Sequence, residues 1–123
     1  MNTDDLHEFC RSWLKAWTGN RPLDLIQFYA PDAYYCDPAR PTGLRGTEQL
    51  LEYFTKLLMR NPDWVWRVQE IIPTAEGCVL RWVATIPTES SSMTVDGVDI
   101  IELRGDKITR NEVYFDRTVL MQR

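Results

Sequence analysis

The chain has 123 residues, of which 44% are hydrophobic and 26% charged, with a formal net charge of −4. That length and balance suit one ordinary folded domain over residues 1–123 rather than a disordered chain. The acidic balance excludes broad phosphate-backbone binding, which needs a basic face, so nucleic acid is not an expected partner.

Leu6, Phe9, Cys10, Trp13 and Trp17 recur at helical spacing, which predicts an amphipathic first helix ending near Gly19, with Thr3 and Asp4 to cap it. Pro22 opens a second, shorter helix through Leu25, Ile26, Phe28 and Tyr29 that stops at Ala30-Pro31. A short strand follows from Ala33 to Asp37. The prolines and glycines of PARPTGLRG read as a loop, after which Thr47 opens a third helix whose stripe is Leu50, Leu51, Phe54, Leu57 and Leu58. From Trp64 onward the period becomes twofold, predicting strands at Trp64–Ile72, Cys78–Ile86, Met93–Leu103 and Lys107–Tyr114. Helices early and strands late define an α+β domain whose helices cover one face of a sheet.

Cys10, Cys36 and Cys78 show no CxxC spacing, so neither a disulfide framework nor a zinc site is indicated, and a thiol nucleophile at Cys36 has no base beside it. No metal or redox cofactor is expected. The acidic start MNTDDLHEFC and the lack of any long apolar run argue against a leader or membrane span, so the expected compartment is the cytoplasm. His7 reads as solvated, Arg81 as outward-facing, and the five tryptophans chiefly as core, with one or two lining a pocket.

The last hairpin, LRGDKI, turns at Gly105-Asp106 and pairs Leu103 with Ile108. Regular pairing then sets Ile101 opposite Arg110, Asp99 opposite Glu112, Gly97 opposite Tyr114 and Val95 opposite Asp116 on one face, with Val98, Ile100, Val113 and Phe115 on the other. A bulge would break this parity. If the acid-bearing face lines a pocket, Asp99 and Glu112 are like charges in a poorly solvated site and one of them holds a proton, unless Arg110 relieves the pair. If it does not, the acids are solvated. On the first strand, Tyr35 and Asp37 project to one side and Tyr34 and Cys36 to the other. Asp37 precedes Pro38 and suits a turn as well as a pocket.

The stretches FYAPDAYYCDPARPTGLRGTEQLLEYF, NPDWVWRVQEIIPTAEGCVLRWVATI and VDIIELRGDKITRNEVYFDRTVLMQ resemble the SnoaL-like polyketide cyclases and ketosteroid isomerases of the nuclear transport factor 2-like superfamily. The resemblance implies a cone, in which three helices wrap a curved, mostly antiparallel sheet around a deep apolar pocket, commonly in a homodimer. It implies a small apolar, carbonyl-containing ligand and cofactor-free isomerisation, cyclisation or a related lyase step. Asp37, in CDP, matches the isomerase base, and Asp99, in VDII, matches the protonated oxyanion donor. Asp116, in YFD, resembles the acid-base aspartate of the cyclases. The isomerase tyrosine of the first helix falls on Ser12, beside Trp13, so one oxyanion donor is missing. Tyr29, Tyr35, Tyr53 or Tyr114 are the hydroxyls that could replace it. Tyr35, Trp66, Trp82, Gly97, Glu112 and Tyr114 complete the expected pocket. The epoxide hydrolases of the superfamily need an arginine where this chain has Gly97, which ranks water activation last. The rival to all three enzymes is the same cone used only to bind a ligand or to dimerise.

Overall fold

The computed structural model describes residues 1–121. Helix α1 (Thr3–Lys15) begins under a cap from Asn2, whose side chain accepts the Asp5 N–H at 2.8 Å, one residue before the expected pair. Its buried face is Leu6, Phe9, Cys10, Trp13 and Leu14. Helix α2 (Pro22–Ile26) is shorter than its apolar residues suggest, because Tyr29 already belongs to strand β1 (Tyr29–Asp37). Strand β2 (Arg40–Arg45) occupies the stretch expected to be a loop; it folds back on β1, with Tyr35 opposite Leu44 and Asp37 opposite Arg40. Proline and glycine are tolerated there because β2 is an edge strand. Helix α3 (Thr47–Arg60) then buries Leu50, Phe54 and Leu58.

Strands β3 (Val65–Pro73), β4 (Gly77–Pro87), β5 (Ser92–Arg104) and β6 (Lys107–Tyr114) form the meander, and a short helix α4 (Thr118–Met121) follows. The sheet order is β2-β1-β6-β5-β4-β3, curved and unclosed. Strand β1 runs parallel to β6 and every other pair is antiparallel, so the sheet is mixed. The core lies between its concave face and the helices. Phe54 is the hub, with its ring 5.2 Å from those of Trp17, Tyr29 and Tyr35.

One irregularity decides what faces that core. Leu103 pairs with Ile108 as expected, but Glu102 pairs with Arg110, leaving Thr109 as an extra residue in β6. Beyond the bulge the parity is reversed: Asp99 lies opposite Val113, Ile101 opposite Asn111, Ile100 opposite Glu112 and Val98 opposite Tyr114. Asn111 and Val113 are therefore buried with Asp99, while Glu112 and Tyr114 stand on the outer face. The Thr109 hydroxyl secures the distortion by donating to the Glu102 carbonyl at 3.2 Å. Among the described residues no helix is long and apolar enough to cross a membrane.

Deleting Thr109 alone removes the extra residue and keeps Asp99 opposite Val113, whereas deleting Thr109 and Arg110 together sets Asn111 opposite Glu102 and turns Asn111 and Val113 outward. In the double deletion Val113 and Phe115 each forfeit roughly 1.5–3 kcal/mol of burial, a sum that reaches the lower end of the ~5–15 kcal/mol stability of a whole domain. The expected result in urea denaturation is a cooperative transition for the single deletion and a collapsed midpoint or none for the double deletion. A double deletion as stable as the single one would show that this residue count does not set the buried face.

Candidate functional site

Asp99 projects from the middle of β5 into the concave face and is 3% exposed. Its Oδ1 accepts the Trp82 indole N–H at 2.7 Å and its Oδ2 accepts the Asn111 amide at 2.8 Å. The Asn111 carbonyl oxygen in turn accepts the Tyr29 hydroxyl at 2.8 Å, and that hydroxyl accepts the Trp13 indole N–H at 3.3 Å. This relay of donors from α1, β1 and β6 ends on Asp99. Burial dominates its ionisation, raising the carboxyl from an ordinary 3.8 to about 7; the Asn111 and Trp82 hydrogen bonds oppose the rise, and the Asp37 charge adds to it. Burial also pushes the Tyr29 and Tyr35 hydroxyls well above the usual tyrosine range, so both remain neutral donors.

Trp82 reaches Asp99 because Gly97 lies opposite it on β5. A Cβ on Gly97 would overlap the indole, so glycine here is a packing requirement and the cleared space is filled by Trp82.

Asp37 ends β1 at the same cavity but is held differently. Its Oδ2 accepts the hydroxyls of Tyr35 and Tyr53, each at 2.7 Å, and its Oδ1 accepts the backbone N–H groups of Ala39 and Arg40, each at 2.9 Å. The turn reading and the pocket reading of Asp37 are therefore both realised: one oxygen closes the turn before β2 and the other meets two phenols. To take a proton, it must first release a donor.

The two carboxyls share a cavity of about 90 Å³. All five tryptophans line it: Trp13 and Trp17 from α1 and its C-terminal turn, Trp64 and Trp66 at the start of β3, and Trp82 from β4. Leu57, Leu58 and Asn61 close one side from the end of α3, while Val95, Val113 and Phe115 close another. Trp17 and Trp66 are 6.1 Å apart between ring centres, and Trp82 meets Phe115 at 5.9 Å. Sites for drug-sized ligands span ~300–1,000 Å³.

Of the residues expected at the site, Asp37, Asp99, Tyr35, Trp13, Trp66 and Trp82 come together on this cavity, with Gly97 beneath Trp82. Four lie elsewhere. Ser12 is on the exposed side of α1, since Trp13 takes the inward position. Glu112 and Tyr114 are carried to the outer face by the bulge, where Glu112 accepts from both Arg110 and Tyr114 and the Arg110 guanidinium holds it below the usual carboxylate range. Asp116 is exposed and caps α4, accepting the Thr118 hydroxyl and N–H, which hold it below its ordinary value. Asn111 is the addition, and it carried a signal, because asparagine is depleted in strand interiors and one placed there asks for a partner. Of the hydroxyls named as replacement donors, Tyr53 donates to Asp37 and Tyr29, which lies in β1 and not in the expected helix, donates to Asn111. Among the described residues no three His, Cys, Asp or Glu side chains gather closely enough to hold a metal ion.

The SnoaL-like domain family matches residues 10–111. The chain belongs to the SnoaL-like domain family. No curated protein matches this SnoaL-like chain. Its solved structural relatives include a proposed polyketide cyclase from Acidithiobacillus ferrooxidans, with a TM-score of 0.79 and 18% identity over 99% of this chain and 96% of that one. A nuclear transport factor 2-like protein of unknown function from Burkholderia pseudomallei has a TM-score of 0.78 and 15% identity over 99% and 97% of the two chains. A protein of ketosteroid isomerase-like fold from Catenulispora acidiphila, solved in complex with trimethylamine, has a TM-score of 0.76 and 22% identity over 89% and 85%. Identities this low establish the shared fold of the SnoaL-like chain and nothing about its substrate.

Two outcomes follow from the geometry. Because folding raises Asp99 from 3.8 to about 7, the native state binds a proton that the unfolded state does not between those values, so stability falls as pH rises through that window and levels off above it. The cost is about 4 kcal/mol. Relative to Asp99→Asn, the wild type should therefore lose stability from about pH 4 to about pH 7, as read from paired denaturant titrations; parallel curves would show that Asp99 is not desolvated. Gly97→Ala should displace the Trp82 indole, changing its near-ultraviolet circular dichroism and lowering stability by about 1–3 kcal/mol. An unchanged spectrum would refute the close approach.

Proposed function

We propose that this SnoaL-like chain binds a small carbonyl-containing molecule and moves a proton on it without a cofactor, with Asp99 as the group that takes and returns the proton. The observation that carries the reading is a buried carboxyl, poised near neutral pH by its burial, on the wall of an otherwise apolar cavity. General acid-base groups work best with a pKa near the working pH. In the proposed step the Asp99 carboxylate takes a hydrogen from the carbon beside the carbonyl. The C–H electron pair becomes the enolate, and Asp99 returns the proton to a different carbon of it. Tyr35 is the donor for the enolate oxygen, because Asp37 Oδ2 keeps the Tyr53 hydroxyl when Tyr35 turns away. Asp37 then acts as a fixed anion that positions Tyr35. This transfers the base from Asp37, whose oxygens already hold four donors, to Asp99.

The cavity volume favours a ligand of a handful of heavy atoms over a fused-ring steroid. The same reading carries a homodimer formed through the outer sheet face, supported by exposed Val65, Ile72 and Tyr114, and action in the cytoplasm. A second reading, a binding module without chemistry, draws on a separate observation. Among the described residues every buried side-chain nitrogen and oxygen has a partner, so the site is complete without a ligand.

The test is hydrogen–deuterium exchange at the carbon beside the carbonyl of small ketones, followed by proton NMR in D₂O. The wild type should accelerate exchange, with a rate that rises as pH passes upward through about 7. Asp99→Asn should lose about 100-fold or more. Exchange at the buffer rate, or an Asp99→Asn variant as fast as wild type, would leave the binding-module reading in its place.

A further inference from the structure

The geometry points to a small organic cation, an alkylammonium group, as the ligand chemistry that this cavity recognises. The inference rests on the reading of the cavity as the ligand site and adds the charge of what enters it.

Three observations carry it together. The first is the sign of the charge. Asp37 and Asp99 both line the cavity and are 8% and 3% exposed, yet among the described residues no lysine, arginine or histidine lines it. Every donor to the two carboxyls is neutral: two phenols and two backbone N–H groups at Asp37, an indole and an amide at Asp99. Of the guanidinium groups near Asp37, Arg40 lies 5.9 Å from the Tyr53 ring centre and Arg117 donates to the Pro38 carbonyl at 3.2 Å. Neutral donors screen a carboxylate without removing its net charge, so Asp37 and the ionised form of Asp99 leave the cavity negative in potential. Buried charges are ordinarily paired, and here the missing partner is a cation.

The second observation is the wall. All five tryptophans of the chain meet at one cavity, joined by Tyr35 and Phe115. The indole face is the best aromatic surface for a cation, and such attraction is stronger where water is excluded. An apolar ligand would be served as well by leucine or valine. Aromatic rings combined with carboxylates discriminate in favour of positive charge, and they repel an anion such as a free carboxylic acid.

The third is size. About 90 Å³ suits a group on the scale of a tetraalkylated nitrogen, which needs no directed hydrogen bond and so does not compete for the donors that Asp37 and Asp99 already hold. A cation beside Asp99 also favours its carboxylate, the form that accepts a proton. The ligand class that unites both readings is a small carbonyl compound bearing an alkylammonium group.

The experiment titrates the full chain with tetramethylammonium chloride, with choline chloride and with 3,3-dimethylbutan-1-ol, the neutral carbon isostere of choline. Ionic strength is held constant with sodium chloride, and binding is read by calorimetry and by the fluorescence of the tryptophans that line the cavity. The expected result is that choline binds at least tenfold more tightly than its neutral isostere, that tetramethylammonium competes with it, and that Trp66→Leu weakens the cations more than the isostere. Equal or tighter binding of the neutral isostere overturns the inference without touching the proton-transfer reading, which stands or falls on ketone exchange and on Asp99→Asn. No binding of either cation also overturns it. The comparison of choline with its isostere on wild-type protein decides the matter even if Trp66→Leu does not fold.

Discussion

A carboxyl group in the middle of an apolar sheet face must be given hydrogen-bond donors or be kept protonated, and the centre of this molecule is organised around that requirement. Asp99 receives the Trp82 indole on one oxygen and the Asn111 amide on the other. Each of those donors makes its own demand. Trp82 can lie over β5 only because Gly97 leaves room for the ring, and Asn111 needs a donor for its own carbonyl oxygen, which Tyr29 supplies. Helix α1 is tied in through the Trp13 indole. Burial still outweighs the donors and raises the carboxyl to about 7.

The bulge at Thr109 is what makes this arrangement possible. Without it, Glu112 would share the concave face with Asp99, and two carboxylates would oppose each other in a desolvated space. With it, the concave position is taken by Asn111, a neutral side chain that donates to Asp99 and accepts from Tyr29. Glu112 is moved to the outer face, where Arg110 neutralises it. One extra residue in a strand thus separates an ion pair at the surface from a buried carboxyl inside.

Asp37 and Asp99 line one cavity, and their different surroundings give them different work. Asp37 sits at a strand end, where backbone N–H groups left free by the turn are available, so its charge is held in place by four donors. Asp99 sits mid-strand, where the ladder consumes the backbone groups and only side chains remain to serve it. The first is suited to fixing a field and orienting Tyr35, the second to exchanging a proton.

Much of this was legible in the chain itself. Helical and twofold periods are written in neighbouring residues, so the α+β class, the long helices and the boundaries of β6 follow from local pattern, and the CDP and VDII stretches mark two aspartates that do meet at one cavity. Tyr35 and Asp37 share a face because two-residue spacing on one strand is also local. The early end of α2 and the pairing of β2 with β1 were not legible, because hydrogen bonds to distant strands overrode short-range propensity at Tyr29 and in the proline-rich stretch. Nor was the company that Asp99 keeps. Which side chain faces it depends on a count of residues across two strands and a turn, and a single bulge, with no signature stronger than an ordinary threonine, inverts that count. The sequence determined which residues could do chemistry; tertiary structure alone decided which of them face each other, because strand register is a long-range property and burial is a property of the whole fold.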